Sequence, residues 1–202
     1  MKTPAAEKPA CSCGELRKGC MMAFEKETLP ADAVAMGFSH AGYAKIETLK
    51  TMDEVRDMCA VDKCNAYDRT WTCPPGCGTV AECQERMQQY DWGLLVQTTA
   101  VLEDSMDYEG MMEGAMQQKE NSEKLHGILR EKYRDVLALT TASCDICRQC
   151  TYPDEPCRFP DKATAAMEGY GLLVSQVCKD NGLDYYYGNN TVTYTALFLI
   201  RD

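Results

Sequence analysis

The chain has no apolar run of membrane-spanning length, and its first twenty residues contain no apolar core of a secretory leader. Positive charge is scarce: 21 Lys and Arg stand against 31 Asp and Glu, for a net charge of −10. Such a surface repels phosphate backbones, which argues against a nucleic-acid binder and suits a basic docking face on a partner protein. Histidine is almost missing, with only His40 and His126. That disfavours a mononuclear site of imidazoles and carboxylates. There is no G-x-G-x-x-G and no P-loop, so nothing points to a nucleotide. No Ser-His-Asp or Cys-His arrangement can be assembled, and no internal repeat is visible.

What the chain has is cysteine, 13 in 202 residues. A fold of this length buries about 70% of its unfolded surface and needs no covalent staples. The count is odd and the residues bunch at two-residue spacers, unlike a disulfide framework. The pattern predicts thiolates held by metal in a reducing cytoplasm.

The densest run is Cys144-x2-Cys147-x2-Cys150-x6-Cys157. Three thiols at this spacing let one loop wrap three corners of a cubane cluster, and the fourth closes it. The run resembles the bacterial ferredoxin pattern C-x2-C-x2-C-x3-C-P with a longer last spacer. Four Cys also satisfy tetrahedral zinc, but zinc ribbons separate two knuckles by a longer stretch. Arg158 and a helix expected from Pro160 would stabilise an anionic site.

A second group spans Cys59, Cys64, Cys73, Cys77 and Cys83. Pro74 and Pro75 fix a turn beside Cys73, and Tyr67 and Trp71 are expected to screen the thiols from water. Four of the five suffice for a second cluster; Cys59, Cys64 and Cys73 come first, with Cys77 or Cys83 as the fourth. The fifth is spare packing, an exchangeable ligand, or a nucleophile near an open iron. Cys83 falls in the first turns of a helix, where the dipole lowers a thiol pKa. Cys11, Cys13 and Cys20 lack a clear fourth partner, and Cys178 reads as core.

Residues 1–32 read as a Cys-containing flexible extension, and residues 33–202 as a single metal-binding domain. Gly42–Leu49 reads as a strand. Thr51-x-x-Glu54 and Thr79-x-x-Glu82 are capping-box signatures opening helices toward Cys59 and Tyr90. Gly93–Thr99 reads as a buried strand, Asp107–Tyr133 as a long helix and Val136–Ala142 as a strand. The helix is expected to bury Tyr108, Met111, Met112, Ala115, Met116, Leu125, Ile128 and Leu129, leaving His126 solvated. The long crossover implies two parallel neighbouring strands, with the Cys144 loop at the carboxyl end of the second. A helical stripe from Ala163 to Cys178 stops at Asn181-Gly182. Tyr185–Tyr187 and Thr191–Ile200 read as a hairpin. His40 lies in a turn of small residues.

Several motifs together are similar to those of one family. These are Cys59–Cys83 with Trp71-Thr72-Cys73-Pro74-Pro75, Cys157-Arg158-Phe159-Pro160, Met167-Glu168-Gly169-Tyr170-Gly171, and Tyr185-Tyr186-Tyr187-Gly188. The chain resembles, from about Gly37 to Ile200, a prokaryotic family of predicted metal-binding proteins, domain of unknown function 2284. The resemblance implies metal at the central cysteines and no particular reaction.

The expected protein is α/β, a small mixed sheet flanked by helices with two Cys-rich cluster-binding loops. Its expected role is that of a cytoplasmic iron–sulfur protein, with two 4Fe–4S clusters, serving a redox partner protein. An enzyme with an open cluster iron and a zinc-binding interaction module are the alternatives; no membrane or nucleic acid is implied, and oligomeric state is left open.

Overall fold

A computed structural model describes Met22 and residues 24–202. Cys11, Cys13 and Cys20 lie outside the described residues.

The sheet is written in two apolar runs. Trp92–Val101 (β2) and Thr191–Arg201 (β5) pair antiparallel along their whole lengths, from Trp92 opposite Ile200 to Val101 opposite Thr191. Their side chains alternate faces, as a pleat requires. Leu95, Leu197 and Leu199 point to one layer, and Leu94, Val96, Ala196, Phe198 and Ile200 to the other. Burial on both faces explains why these strands read as continuous hydrophobic stretches.

Around this pair stand His40–Ala44 (β1), Asp135–Thr140 (β3) and the short Ala165–Ala166 (β4), in the order β1-β2-β5-β3-β4. The last pair, β3 with β4, is parallel and the others are antiparallel. The α/β mixed sheet is therefore as expected. The crossover from β2 to β3 does return in the same direction, but the two strands are not neighbours. β5 inserts between them and bonds to both.

That insertion also removes the hairpin expected at the C-terminus. Both edges of β5 are taken, so Tyr185–Tyr187 has no strand to join. Tyr187 instead stacks flat on His40, centroids 4.0 Å apart, and its hydroxyl donates to Gln97 Oε1 at 2.8 Å.

Two helices cover one face, Leu29–Ala35 (α1) and Tyr108–Lys132 (α4). Packing there starts at Phe24, which is buried with Leu29 and Ala33. α4 begins where expected, with Asp107 Oδ1 accepting from the Gly110 N–H at 2.9 Å. Its inward face differs from the expected one. Gly114, Gln118, Asn121, Ser122, Leu125, His126 and Leu129 are buried, while Tyr108, Met112 and Met116 are exposed. Gly114 sets the rotation of the helix: a Cβ there would stand 2.8 Å from the Ala100 Cβ, so only glycine permits this approach. Gln118 follows one turn on and accepts from the Thr98 hydroxyl at 2.6 Å. His126 is thus buried, not solvated, and burial pushes its pKa down to about 4, with Arg130 adding to the effect.

The opposite face is covered by Asp53–Cys59 (α2), Val80–Met87 (α3), Val174–Asp180 (α5) and the 3-10 turns Ile46–Thr48 and Glu168–Tyr170. The capping box at Thr79 forms, with Thr79 Oγ1 accepting from the Glu82 N–H and Glu82 Oε2 accepting from the Thr79 N–H. The one at Thr51 does not. Thr51 is drawn into a bridge with Leu172, and its N–H donates to Gln84 Oε1, so Met52 becomes the uncapped helix entry. The strand expected over Gly42–Leu49 ends at Ala44, where the 3-10 turn follows.

No helix starts at Pro160. Ala165–Ala166 is drawn out to pair with Leu139 and Thr140, so the expected helical stripe survives only as α5, ending at Asn181 and the left-handed Gly182.

Candidate metal centre

Two long segments without regular helix or strand hold seven of the ten described cysteines, and Cys59 in α2 and Cys83 in α3 flank the first of them. One runs from the end of α2 into α3, and the other, residues 141–164, joins β3 to β4. Loops of this length inside a compact domain are usually functional.

The first segment is wound tightly by short polar residues. Asp62, Asn65 and Asp68 occupy the left-handed region, which Asp and Asn tolerate better than most residues. Asp62 accepts from the Tyr67 N–H at 3.0 Å and pairs with Arg69 at 3.1 Å. Cys73, Cys77 and Cys83 are buried, Cys59 is half-buried and Cys64 exposed. Burial raises the Cys59 and Cys73 thiols above their ordinary range, and neighbouring thiols add to it: Cys64 and Cys73 act on Cys59, Cys64 and Cys144 on Cys73.

Cys77 and Cys83 both pack within the apolar core. The neighbouring Cys77 thiol lowers the pKa of the Cys83 thiol, assisted by Arg56 and Arg86, and the same neighbour relation raises Cys77; Cys77 Sγ donates to the Gly169 carbonyl at 3.4 Å and Cys83 Sγ to the Cys77 carbonyl at 3.6 Å. Arg56 donates to Cys83 Sγ at 3.6 Å and to the Gly78 carbonyl. Arg86 donates to the Cys77 carbonyl at 3.2 Å and to the Tyr170 hydroxyl at 2.6 Å. A low Cys83 pKa was expected from its place near the start of a helix. Its causes here are Cys77 and the two guanidiniums. Sequence reading missed both arginines, because nothing in the spacing marks Arg56 or Arg86 as a partner of a thiol.

The second segment brings Cys144, Cys147, Cys150 and Cys157, all half-buried, around one cavity of about 260 Å³. Arg69, Arg148 and Arg158 also line it, with Ile146 and Phe159, and among the described residues no carboxylate does. Arg158 donates to the Gln149 carbonyl at 3.0 Å, which ties the end of the loop back across its middle.

The two segments are fastened to each other. The Cys144 N–H donates to Thr72 Oγ1 at 3.3 Å, the Trp71 indole N–H to the Glu155 carbonyl at 3.0 Å, and the Tyr152 hydroxyl to Asp68 at 2.9 Å. Trp71 meets Tyr152 edge-on at 4.9 Å. Gly76 makes room for this: a Cβ there would collide with the Thr70 carbonyl and lie 2.9 Å from the Tyr152 ring. Trp71 lines the cavity of the Cys144 loop, whereas its screening was expected, with that of Tyr67, for the Cys59–Cys83 thiols.

Among the described residues, no three His, Cys, Asp or Glu side chains converge closely enough to hold a single ion. The four thiols of the second loop instead ring a void several times the volume of a water molecule (about 30 Å³). Soft donors and guanidiniums around a void fit a metal centre held by thiolates. Cys178 stands apart, buried beside Gln97 Nε2 at 3.5 Å, and neither histidine lines the cysteine cavity.

A family model described as predicted metal-binding protein (DUF2284) matches residues 44–200. The chain belongs to this family. Its members carry a metal-binding description, which agrees with the cysteine content and names no metal. No curated protein and no solved structure matches the chain. Among the described residues of this DUF2284 protein, no helix is long and apolar enough to cross a membrane.

Proposed function

We propose that this DUF2284 protein is a cytoplasmic iron–sulfur protein that passes electrons to or from a partner protein. Cys144, Cys147, Cys150 and Cys157 hold one 4Fe–4S cluster. Cys59, Cys64, Cys73 and Cys77 hold a second. The observation that carries the reading is the cavity of about 260 Å³ lined by four thiols of one loop and three arginines, with no carboxylate among the described residues of its wall. Cys77 is preferred to Cys83 as fourth ligand because Cys73 acts on it electrostatically, whereas Cys83 turns toward Cys77, Arg56 and Arg86.

Bound clusters supply one-electron chemistry at potentials tuned by charge, hydrogen bonding and burial. The chain's own residues supply that tuning. Arg69, Arg148 and Arg158 offset negative charge at the second loop, which favours the reduced form. Trp71 and Tyr152 exclude water between the loops. Cys73 and Cys144 stand on the two sides of the seam where Cys144 bonds to Thr72, so the two sites adjoin and an electron has a short route between them. Because Cys59, Cys73 and Cys77 have raised pKa values without metal, loading must release protons and strengthens with pH. The net charge of −10 suits a partner with a basic docking face.

Anaerobic purification followed by iron, acid-labile sulfide and zinc analysis tests the proposal. About eight iron and eight sulfide per chain are expected. Zinc at both sites with no sulfide, also after reconstitution, overturns it.

A further inference from the structure

A second cavity, of about 230 Å³, adjoins the cysteine cavity, and among the described residues no cysteine or histidine lines it. It lies at the carboxyl end of β3, between α4 and the start of the Cys144 loop. This is where open α/β sheets place ligands. The loop itself is the partition: Ser143 and Asp145 line this cavity, and Cys144 and Ile146 line the other.

The wall has a definite chemistry. Met112, Ala115 and Met116 form the helix side, and Ala142 stands across from them. The two methionines are exposed here although their spacing suggested core packing. Flexible, polarizable methionine is the residue of adaptable binding surfaces. The cavity's cation, Lys119, is neutralised by Asp145 and, at 3.9 Å, by Glu123. A ligand carboxylate would therefore meet two acids and one spoken-for amine. Finally, Ser122 lines the cavity, is only 4% exposed, and its hydroxyl has no hydrogen-bond partner among the described residues. A buried hydroxyl without a partner is costly, and a ligand that supplies one recovers that cost.

From the apolar wall, the internally balanced charge and the unpartnered Ser122 hydroxyl, we infer that this cavity binds a small uncharged molecule with an apolar body and one hydrogen-bonding group. Its size suits a single ring: a cavity of about 150 Å³ already accepts benzene. The bound molecule packs against the main chain that carries Cys144. The inference does not depend on which metal that loop holds.

The test uses full-length, anaerobically purified protein with carbon-13 labelled methionine methyl groups. Signals of Met112 and Met116 are assigned with Met112→Leu and Met116→Leu. The probes are benzyl alcohol, toluene and benzoate. Benzyl alcohol shifts both signals saturably, toluene binds about fivefold more weakly for want of the hydrogen bond, and benzoate at least about tenfold more weakly. Ala115→Phe fills the cavity from the helix and Ala142→Phe from the loop. Either one weakens benzyl alcohol by about tenfold or more, so the test stands if one of them fails to fold. Ser122→Ala removes the difference between alcohol and toluene. The inference is overturned by shifts that do not saturate, by binding that survives both filling variants, or by benzoate binding as tightly as the alcohol. Failure here leaves the iron and sulfide analysis untouched, and zinc in that analysis leaves this binding untouched.

Discussion

The two cysteine segments differ in what holds them. The Cys59–Cys83 segment is part of the hydrophobic core. Cys77 and Cys83 pack with Met87, Leu95, Leu197 and Tyr170, and Arg56 and Arg86 brace them. The described residues of the Cys144 loop contribute nothing to either core layer; its thiols are half-buried, and the contacts that anchor it run to the other segment through Trp71, Thr72 and Tyr152 and to α4 through the exposed ion pairs Asp145–Lys119 and Asp161–Arg130. One site is built into the fold and the other is hung upon it. Protonation and packing of the first are therefore tied to folding. Order in the second depends on its seam with the first and on what its thiols hold.

The contrast is broken or sharpened most strongly by single replacements in each site. Cys147→Ser is expected to lose about half of the iron and sulfide with almost no change in thermal midpoint. Cys73→Ser is expected to lose a similar share and also about 1–3 kcal/mol of stability, because a hydroxyl replaces a buried thiol. Metal analysis and urea unfolding read both. Unfolding of the Cys147 variant, or unchanged stability of the Cys73 variant, removes the distinction.

A control lies in the other core layer, on α4. His126 has a pKa near 4 when folded against an ordinary 6.5, so folding favours its neutral form. Its contribution is complete above about pH 6.5 and is lost as pH falls toward 4, on the order of 3 kcal/mol in all. His126→Gln should flatten urea midpoints over that range. If the variant stays equally acid-sensitive, acid lability belongs to the cysteine face.

Trp71→Ala removes the edge-on contact with Tyr152 and the bond to Glu155, together worth about 1–2 kcal/mol. Limited proteolysis should then cut residues 141–164 well before the sheet. Uniform cleavage would mean that the seam is not what orders the loop. The smallest effect is expected from Thr79→Ala, about 1 kcal/mol by loss of the cap, read as a urea midpoint shift with metal content unchanged.

Local chemistry was legible where neighbouring residues decide it. The capping box at Thr79, the cap at Asp107, the stop at Asn181-Gly182 and the long helix all follow from residues a few positions apart. Signals of the same kind failed where a distant partner competed. Thr51 carries the same box as Thr79, but Leu172 and Gln84 claim its backbone. Ala165 and Ala166 suit a helix, but β3 offers them a strand edge. The stripe on α4 misled because its contact face is set by Gly114 and Gln118, neither of which an apolar count weighs.

Alone, the order of residues determined that this is an α/β chain rich in soft metal donors, with two cysteine groups of recognisable spacing. Periodicity and ligand chemistry are properties of short windows, and short windows suffice to read them. Tertiary structure alone decided that β5 parts β2 from β3, that Arg56 and Arg86 flank the Cys77–Cys83 pair, and that the two loops share a seam with a second cavity beside it. Those arrangements arise from contacts between residues tens of positions apart, which compete for the same backbone groups and the same volume, and no local pattern records which contact wins.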